Sequence, residues 1–274
     1  MLVLPAERDD PPERRTASAT LRAVSDHGYF FVEQGADVSD DAVDAAMRAF
    51  EDDVWPTVTG AFGEPPAPGV DGDPRLALLH ANLGTQVGGY VTDEDAYPTS
   101  VVPTSNQREM VYLDVGITPG SDGYARVLAH ELQHVIQRGH DVDEEAWVNE
   151  GLSEVAARLV SNDQAFFDTF LERPDTQLNA WAQIQSSGAH YGASSLFFDY
   201  LFEQTDGDVL ALTSEPASGV EGVRAFLEAT GEPRSFAELV ADWTVANLID
   251  EPGGPYGYGR QDPNAPPTTL LEGR

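Results

Sequence analysis

Two histidines four residues apart, His130 and His134, are the residues whose types and spacing best suit chemistry. On a helix, side chains four residues apart project from the same face, so two imidazoles can bind one metal ion. Zinc is the usual metal for such nitrogen ligands. Glu131 follows the first histidine directly, where its carboxylate can accept a proton from zinc-bound water without binding the metal. The pentapeptide therefore predicts a metal site with a general base beside it.

The residues around this motif have the pattern of a helix. Ser121 or Asp122 can cap its start, and Gly139 can end it just after the positively charged Arg138. Apolar side chains recur between them at helical spacing: Tyr124, Val127, Leu128, Leu132, Val135 and Ile136.

A third metal ligand has two candidates, of which His140 is the first. It occupies the position of the third histidine in the metzincin pattern HExxHxxGxxH, but Gln137 stands where that pattern requires glycine. Metzincins also have a methionine turn after the site, and all three methionines of this chain precede His140. His140 is therefore interpreted as a solvated residue.

Glu150 is the better candidate for the third ligand. Asp143 can cap a second helix that runs through Trp147 to about Val160. If this helix is antiparallel to the first, Glu150 returns to the two histidines. Glu154, one turn further, faces the same way and can accept the remaining N–H of a metal-bound histidine.

These two motifs together resemble the gluzincin clan of zinc metallopeptidases. Its thermolysin and aminopeptidase branches share an HExxH helix and a downstream Asn-Glu pair on a second helix, which matches Asn149 and Glu150. The segment WVNEGLSE at residues 147–154 is most similar to the hyicolysin-like branch. Residues 88–90 and 110–114 also resemble that branch, and the likeness covers roughly residues 20–250.

The resemblance implies a fold, a cofactor and a reaction. The fold is an α+β, zincin-like arrangement with a β-rich N-terminal lobe, a helical C-terminal lobe and the zinc site between them. One Zn²⁺ per chain is held by His130, His134 and Glu150. Asn149 and Glu154 do not bind the metal themselves but hold its ligands in place. The activity implied is that of a zinc-dependent endopeptidase with Glu131 as general base.

Four segments are expected along the chain: a flexible arm at 1–18, an N-terminal α/β lobe at 19–118, the helical lobe at 119–250 and an irregular tail at 251–274. In the N-terminal lobe the pattern predicts strands at 19–34 with a turn near 26–28, then a helix from Ser39 to Trp55-Pro56. Further strands are predicted at 75–82, 88–92 and 109–115. The strand at 109–115 is expected at the sheet edge, where an extended peptide would pair with it.

The helical lobe is expected to place His190 and Tyr191 at the site. Helices are predicted at 165–171, 177–185, 193–202, 220–227 and 236–249, with a flexible break at 186–189. In related enzymes a tyrosine or histidine of the helical lobe stabilises the negative charge that develops on the scissile carbonyl oxygen. Either residue suits this role, and Tyr191 is slightly favoured. The competing interpretation of Tyr191 is packing against the core at the start of a helix.

The chain has 47 acidic and 15 basic residues, for a net charge of −32, and every basic residue is arginine. Nucleic acid is therefore not an expected partner, because its phosphates would be repelled. With 274 residues and 41% hydrophobic side chains, the chain can bury a substantial core. No apolar run approaches the roughly 20 residues of a membrane span. Residues 1–15 do not have the pattern of a signal peptide, although the resemblance implies a secreted or cell-surface protein.

The acidic, lysine-free composition predicts a protein adapted to concentrated salt. Dialysis into low salt is expected to unfold it, because the repulsion among its carboxylates is then screened less. Circular dichroism along a salt titration measures this. Equal stability at low and high salt would contradict the halophilic interpretation and favour an acidic protein from an ordinary environment.

Two alternatives to an endopeptidase stay open. An aminopeptidase needs an anchor for the free amine of its substrate, such as a GxMEN-type motif, and the sequence has none. An inactive binding or adhesion module is the other, although it would have no use for Glu131. Calcium is a further candidate ligand at Asp71-Gly72-Asp73 and Asp206-Gly207-Asp208, for which ordinary turns are the competing interpretation. The partner expected for the enzyme is a peptide or protein substrate, and the oligomeric state is left open.

Overall fold

The structure, a computed structural model, describes residues 2–3, 15–84, 87–161, 166–181, 187–205, 208–251 and 253–259. Its architecture is mixed α/β, with one five-stranded mixed sheet and a larger set of helices. This confirms the α+β class. The arm predicted at 1–18 and the tail at 251–274 lie mostly outside the described residues.

The main sheet has the strand order β3-β4-β5-β7-β6. β4 and β7 both pair parallel with β5, whereas β3 and β6 add antiparallel strands at the two edges. A separate antiparallel pair joins β1 and β2. The strands are β1 (Leu2–Val3), β2 (Arg15–Thr16), β3 (Ala19–Val24), β4 (Gly28–Glu33), β5 (Leu76–Ala81), β6 (Gly89–Tyr90) and β7 (Met110–Asp114).

The prediction that residues 109–115 form the sheet edge is wrong. β7 lies between β5 and β6, and its first four residues are buried, as is typical of an inner strand covered on both faces. The edge strand is β6 instead, which has only two of the five residues predicted at 88–92.

The first helical segment is longer than predicted. Ser39 caps α1 (Asp40–Arg48) as expected, since its side chain accepts a hydrogen bond from the N–H of Ala42. The predicted end at Trp55-Pro56 is wrong, because the chain continues through a π-helical segment (Ala49–Val54) into α2 (Trp55–Phe62). Pro56 lies in the first turn of α2, where a missing N–H costs no helical hydrogen bond.

Contacts among residues divide the chain into two compact units. The first comprises residues 1–139 and 156–163 and contains the sheet, α1, α2 and most of α3 (Asp122–His140). The second comprises residues 140–155 and 164–274. It contains α5 (Phe167–Leu171), α6 (Gly188–Thr205), α7 (Val209–Thr213), α8 (Gly219–Thr230) and α9 (Phe236–Ile249). Helix α4 (Ala146–Ser161) contributes residues to both units.

The core of the second unit forms around α6. The helix predicted at 193–202 is confirmed as part of α6, and residues 192–201 of it are all buried. Phe197 packs edge-on against Trp243 of α9, and the hydroxyl of Tyr200 donates to the carbonyl of Pro255. α9 has the predicted bounds. Residues 177–181 of the helix predicted at 177–185 are not helical, and residues 182–185 lie outside the described part.

The interior of the first unit contains a neutral histidine. His80 of β5 is 1% exposed. Its Nδ1 lies 3.1 Å from the carbonyl oxygen of Phe31, and its Nε2 lies 2.9 Å from the hydroxyl oxygen of Tyr124 in α3. Because a carbonyl only accepts, Nδ1 carries the proton and Nε2 accepts from the tyrosine. Burial lowers the pKa of His80 to about 4. His80 therefore has a structural role in the interior of the first unit.

This histidine predicts a specific acid sensitivity. The folded pKa of His80 lies below the ordinary value of 6.5, so its contribution to stability is complete above about pH 6.5 and is lost as the pH falls toward 4. The loss reaches about 3 kcal/mol at the acidic end. The measurement is urea unfolding of the natural protein and His80→Gln along a pH series, because the titration of the carboxylates is common to both and cancels. A stability difference that is constant with pH would contradict this.

None of the helices in the described part of the chain combines the length and the apolar character that crossing a lipid bilayer requires.

Candidate metal centre

Helix α3 carries both histidines of the motif. It begins at Asp122, and the hydroxyl of Ser121 accepts a hydrogen bond from the N–H of Tyr124, so the predicted cap at Ser121 is confirmed. The predicted stop at Gly139 is wrong, because the helix continues to His140. Gly139 instead allows a close approach of Pro66, whose Cγ would lie 2.8 Å from an added Cβ. His140 is exposed at the helix end, as its interpretation as a solvated residue requires.

The two histidines direct their rings toward a common point. The Nε2 atoms of His130 and His134 lie 3.1 Å apart, with the rings nearly perpendicular at 81°. Two nitrogen ligands of a tetrahedral zinc ion, each at 2.0–2.1 Å from the metal, are about 3.3 Å apart. The spacing of the two nitrogens therefore suits shared binding of one ion.

Helix α4 carries the predicted carboxylates. It begins at Ala146, and the carbonyl of Glu145 accepts from the N–H groups of Val148 and Asn149. The predicted cap at Asp143 is wrong, because the helix begins at Ala146, three residues after Asp143. Glu150 is half-buried in the second turn, and Glu154, one turn later, is 5% exposed.

The candidate metal centre consists of His130, His134 and Glu150. One ligand atom from each residue lies within 4.8 Å of the other two, and all three residues are partly buried. Two imidazoles and one carboxylate form the ligand set of one class of catalytic zinc site, in which the fourth position is left for water or substrate. The residues present therefore fit a divalent metal ion such as zinc.

The candidate calcium residues form ordinary turns where they are described. The carboxylate of Asp71 accepts from the N–H of Asp73, and the carboxylate of Asp73 accepts from the hydroxyl of Tyr29. Asp208 accepts from the N–H of Leu210 at the start of α7, whereas residues 206 and 207 lie outside the described part. Among the described residues, no second group of three ligands with metal-binding spacing occurs.

The general-base candidate Glu131 lies beside the edge strand. Its side chain is 6% exposed. A Cβ added to Gly89 of β6 would lie 3.2 Å from Cγ of Glu131 and 2.8 Å from both a methyl of Val127 and the carbonyl oxygen of Tyr112. A glycine is therefore needed for β6 to pass this close to α3. The Gly-Gly pair at 88–89 is the sequence signal for this contact, in addition to the strand that it predicts.

A buried polar network supports β6 and β7 and was not predicted. The ring of Tyr90 stacks on that of Tyr112 at 4.4 Å, and the Tyr112 hydroxyl donates to the carboxylate of Asp95 at 2.6 Å. The side-chain amide of Asn106 donates to the Tyr112 hydroxyl at 2.6 Å. Burial raises the pKa of Asp95, which is 2% exposed. This network fixes the loop that precedes β7 onto the strand next to the edge.

His190 and Tyr191 lie in the first turn of α6, not after a break, since Gly188 already begins this helix. Both are partly buried, and both rings contact that of Trp181. Ser194, one turn after His190, packs against Gly151, the residue that follows Glu150. Helix geometry therefore places the first turn of α6 near the turn of α4 that carries Glu150. Which of the two residues contacts a substrate stays a prediction.

His130, His134 and Glu150 can together bind a divalent cation. The buried carboxylate of Glu131 belongs to the residue that follows His130. Asn149 is partly buried beside Glu150 on α4.

In comparisons with known proteins, no protein-family model matches the chain, and no curated protein matches it.

Proposed function

We propose that this protein is a zinc-dependent endopeptidase of the gluzincin type, with the zincin-like fold of a strand-rich and a helical lobe. The observation that carries the proposal is the convergence of His130, His134 and Glu150 within 4.8 Å, with Glu131 next to the first histidine. The resemblance of residues 147–154 to the hyicolysin-like branch supports that branch over the other gluzincins.

In the proposed mechanism, His130, His134 and Glu150 would hold zinc, which when bound would lower the pKa of a water and polarise the scissile carbonyl. Glu131 accepts the proton of the attacking water on its carboxylate and then donates it to the leaving amine nitrogen. Because this side chain is 6% exposed, little bulk water competes for the proton. Glu154 accepts the second N–H of a ligand histidine and fixes its ring orientation.

A hydrogen-bond donor for the developing oxyanion comes from the start of α6. His190 and Tyr191 are the two candidates, and both have a side chain that can donate to an oxygen. The variants Tyr191→Phe and His190→Gln each remove one donor while they keep most of the volume. The residue in this role is the one whose replacement lowers kcat without a change in zinc content.

The substrate in this proposal is an extended peptide that pairs with β6. β6 is the outermost strand of the main sheet, so its backbone groups on the side away from β7 are those of a sheet edge. Strand addition to such an edge is a common mode of peptide binding. At Gly89 the strand passes within contact distance of Glu131, which would bring the bound backbone to the general base.

The test is metal analysis combined with cleavage of a peptide library in high salt. One zinc per chain together with internal cleavage of N-terminally acetylated peptides is the expected result. Cleavage of peptides with a free amine only would indicate an aminopeptidase. Zinc without any cleavage would indicate a binding module, and absence of zinc from the purified and zinc-supplemented protein would refute the site.

A further inference from the structure

Helix α4 approaches α6 very closely at the residue next to the metal ligand Glu150. A Cβ added to Gly151 would lie 2.7 and 2.8 Å from two ring carbons of Phe198 and 2.9 Å from Cβ of Ser194. Carbon atoms in contact are ordinarily about 3.5–4.0 Å apart. Any side chain at this position therefore requires a displacement of more than about half an ångström.

The residues facing Gly151 have little freedom to move. Phe198 and Ser194 are both completely buried. The ring of Phe198 stacks on Trp147 at 5.5 Å and 12°, and it also contacts the rings of Phe197 and Phe202. In an interior packed at this density, a ring enclosed by three others transmits a displacement instead of absorbing it. The backbones of α4 and α6 must therefore separate, which displaces α4 relative to α6.

A movement of this size matters because Glu150 shares a peptide bond with Gly151. Metal sites hold their ligand atoms within about ±0.2 Å of the preferred distance. A backbone shift of about half an ångström exceeds that tolerance. The contact between α4 and α6 thus fixes the position from which Glu150 reaches the histidines.

We propose that Gly151 is a positioning residue for Glu150: its missing side chain lets α6 hold α4 where the carboxylate completes the metal centre. This inference rests on the proposed function, since it requires that Glu150 bind the metal. It assigns to Phe198 and Ser194 the role of a rigid surface against which the ligand-bearing turn is held.

The experiment measures zinc affinity by competition with a chromophoric chelator. Gly151→Ala is expected to bind zinc at least about 10-fold more weakly than the natural protein, as is common when the support of a metal ligand is lost. Gly60→Ala is the matched control, because Gly60 lies in helix α2 and an added Cβ meets no atom within 4 Å. Its zinc affinity is expected to stay unchanged.

The second variant tests the contact directly. Gly151→Ala combined with Phe198→Leu removes the ring that the new methyl group meets, and it is expected to recover part of the zinc affinity. It also replaces the single variant if that one does not fold. A double variant that binds zinc no better than Gly151→Ala would overturn the proposal. If only the double variant folds and it binds no zinc, that result would also overturn the proposal.

The outcomes for the natural protein separate the two proposals. If the natural protein binds no zinc, the proposed function fails and this inference with it. If the natural protein and Gly151→Ala bind zinc equally well, only the positioning role of Gly151 is refuted. Thermal unfolding of the metal-free variants, followed by circular dichroism, shows that each protein compared is folded at the temperature of the titration.

Discussion

Replacing Glu131 by glutamine is expected to leave zinc binding intact and to lower peptide cleavage by at least about 100-fold, the usual contribution of a general base. Glutamine has nearly the shape of glutamate, so it keeps the packing of this side chain next to Gly89. Its amide, however, cannot accept the proton of an attacking water. Metal content and kcat, measured on the same preparation, check this prediction.

The matched control is Glu228→Gln, which makes the same chemical change at an exposed residue of α8. Against a net charge of −32, the loss of one carboxylate has little effect on the overall field, so this variant is expected to keep full activity. Retained activity in Glu131→Gln would refute the mechanism. Loss of zinc in Glu131→Gln would mean that Glu131 supports the metal.

Replacing His134 by alanine is expected to remove zinc. It deletes one of the three protein ligands whose atoms converge within 4.8 Å. Structural zinc sites with four ligands bind with about 10–16 kcal/mol, so one ligand contributes several kcal/mol and its loss weakens binding by at least about 100-fold. The measurement is a zinc titration against a competing chelator, with activity measured in parallel.

His140→Ala is the control for His134→Ala, because both change a histidine of α3. His140 is exposed at the end of the helix and is the third-ligand candidate of the competing metzincin interpretation. We expect His140→Ala to bind zinc as the natural protein does. The opposite pair of results, with zinc lost in His140→Ala and kept in His134→Ala, would overturn the ligand assignment.

The parts of the fold that were predicted correctly have strong local signals. Ser39 and Ser121 precede amphipathic runs, and each caps the helix predicted for it. The start of α9 follows from its capping box, in which Ser235 and Glu238 bond reciprocally. The spacing of His130 and His134 is also local, since it depends only on the pitch of one helix.

The parts that were predicted incorrectly depend on tertiary contacts. Proline at position 56 is a helix-ending signal in the sequence, but a π-helical segment packed through Phe50 and Val54 places it inside a new first turn. The order of β6 and β7 in the sheet is not encoded in the periodicity of either strand, because both read as short apolar segments.

The same limit applies to the candidate site. Glu131 and Glu150 can be identified from the sequence, but the residues that fix their positions belong to distant segments of the chain. Gly89 meets Glu131 only after the sheet has formed, and Gly151 meets Phe198 only after α4 and α6 have packed. A single glycine in a sequence does not specify which side chain will approach it.

The burial of β5 on both faces has a consequence for refolding. Its partners β4 and β7 come from separate parts of the chain, so large loops must close before Leu76–Ala81 is covered. Until then this segment, in which His80 is the one polar side chain, can pair with its counterpart in another molecule. Repulsion between highly acidic chains opposes such association, and salt weakens that repulsion. Concentrated salt is therefore expected to stabilise the folded protein. At high protein concentration, it is also expected to lower the yield of refolding.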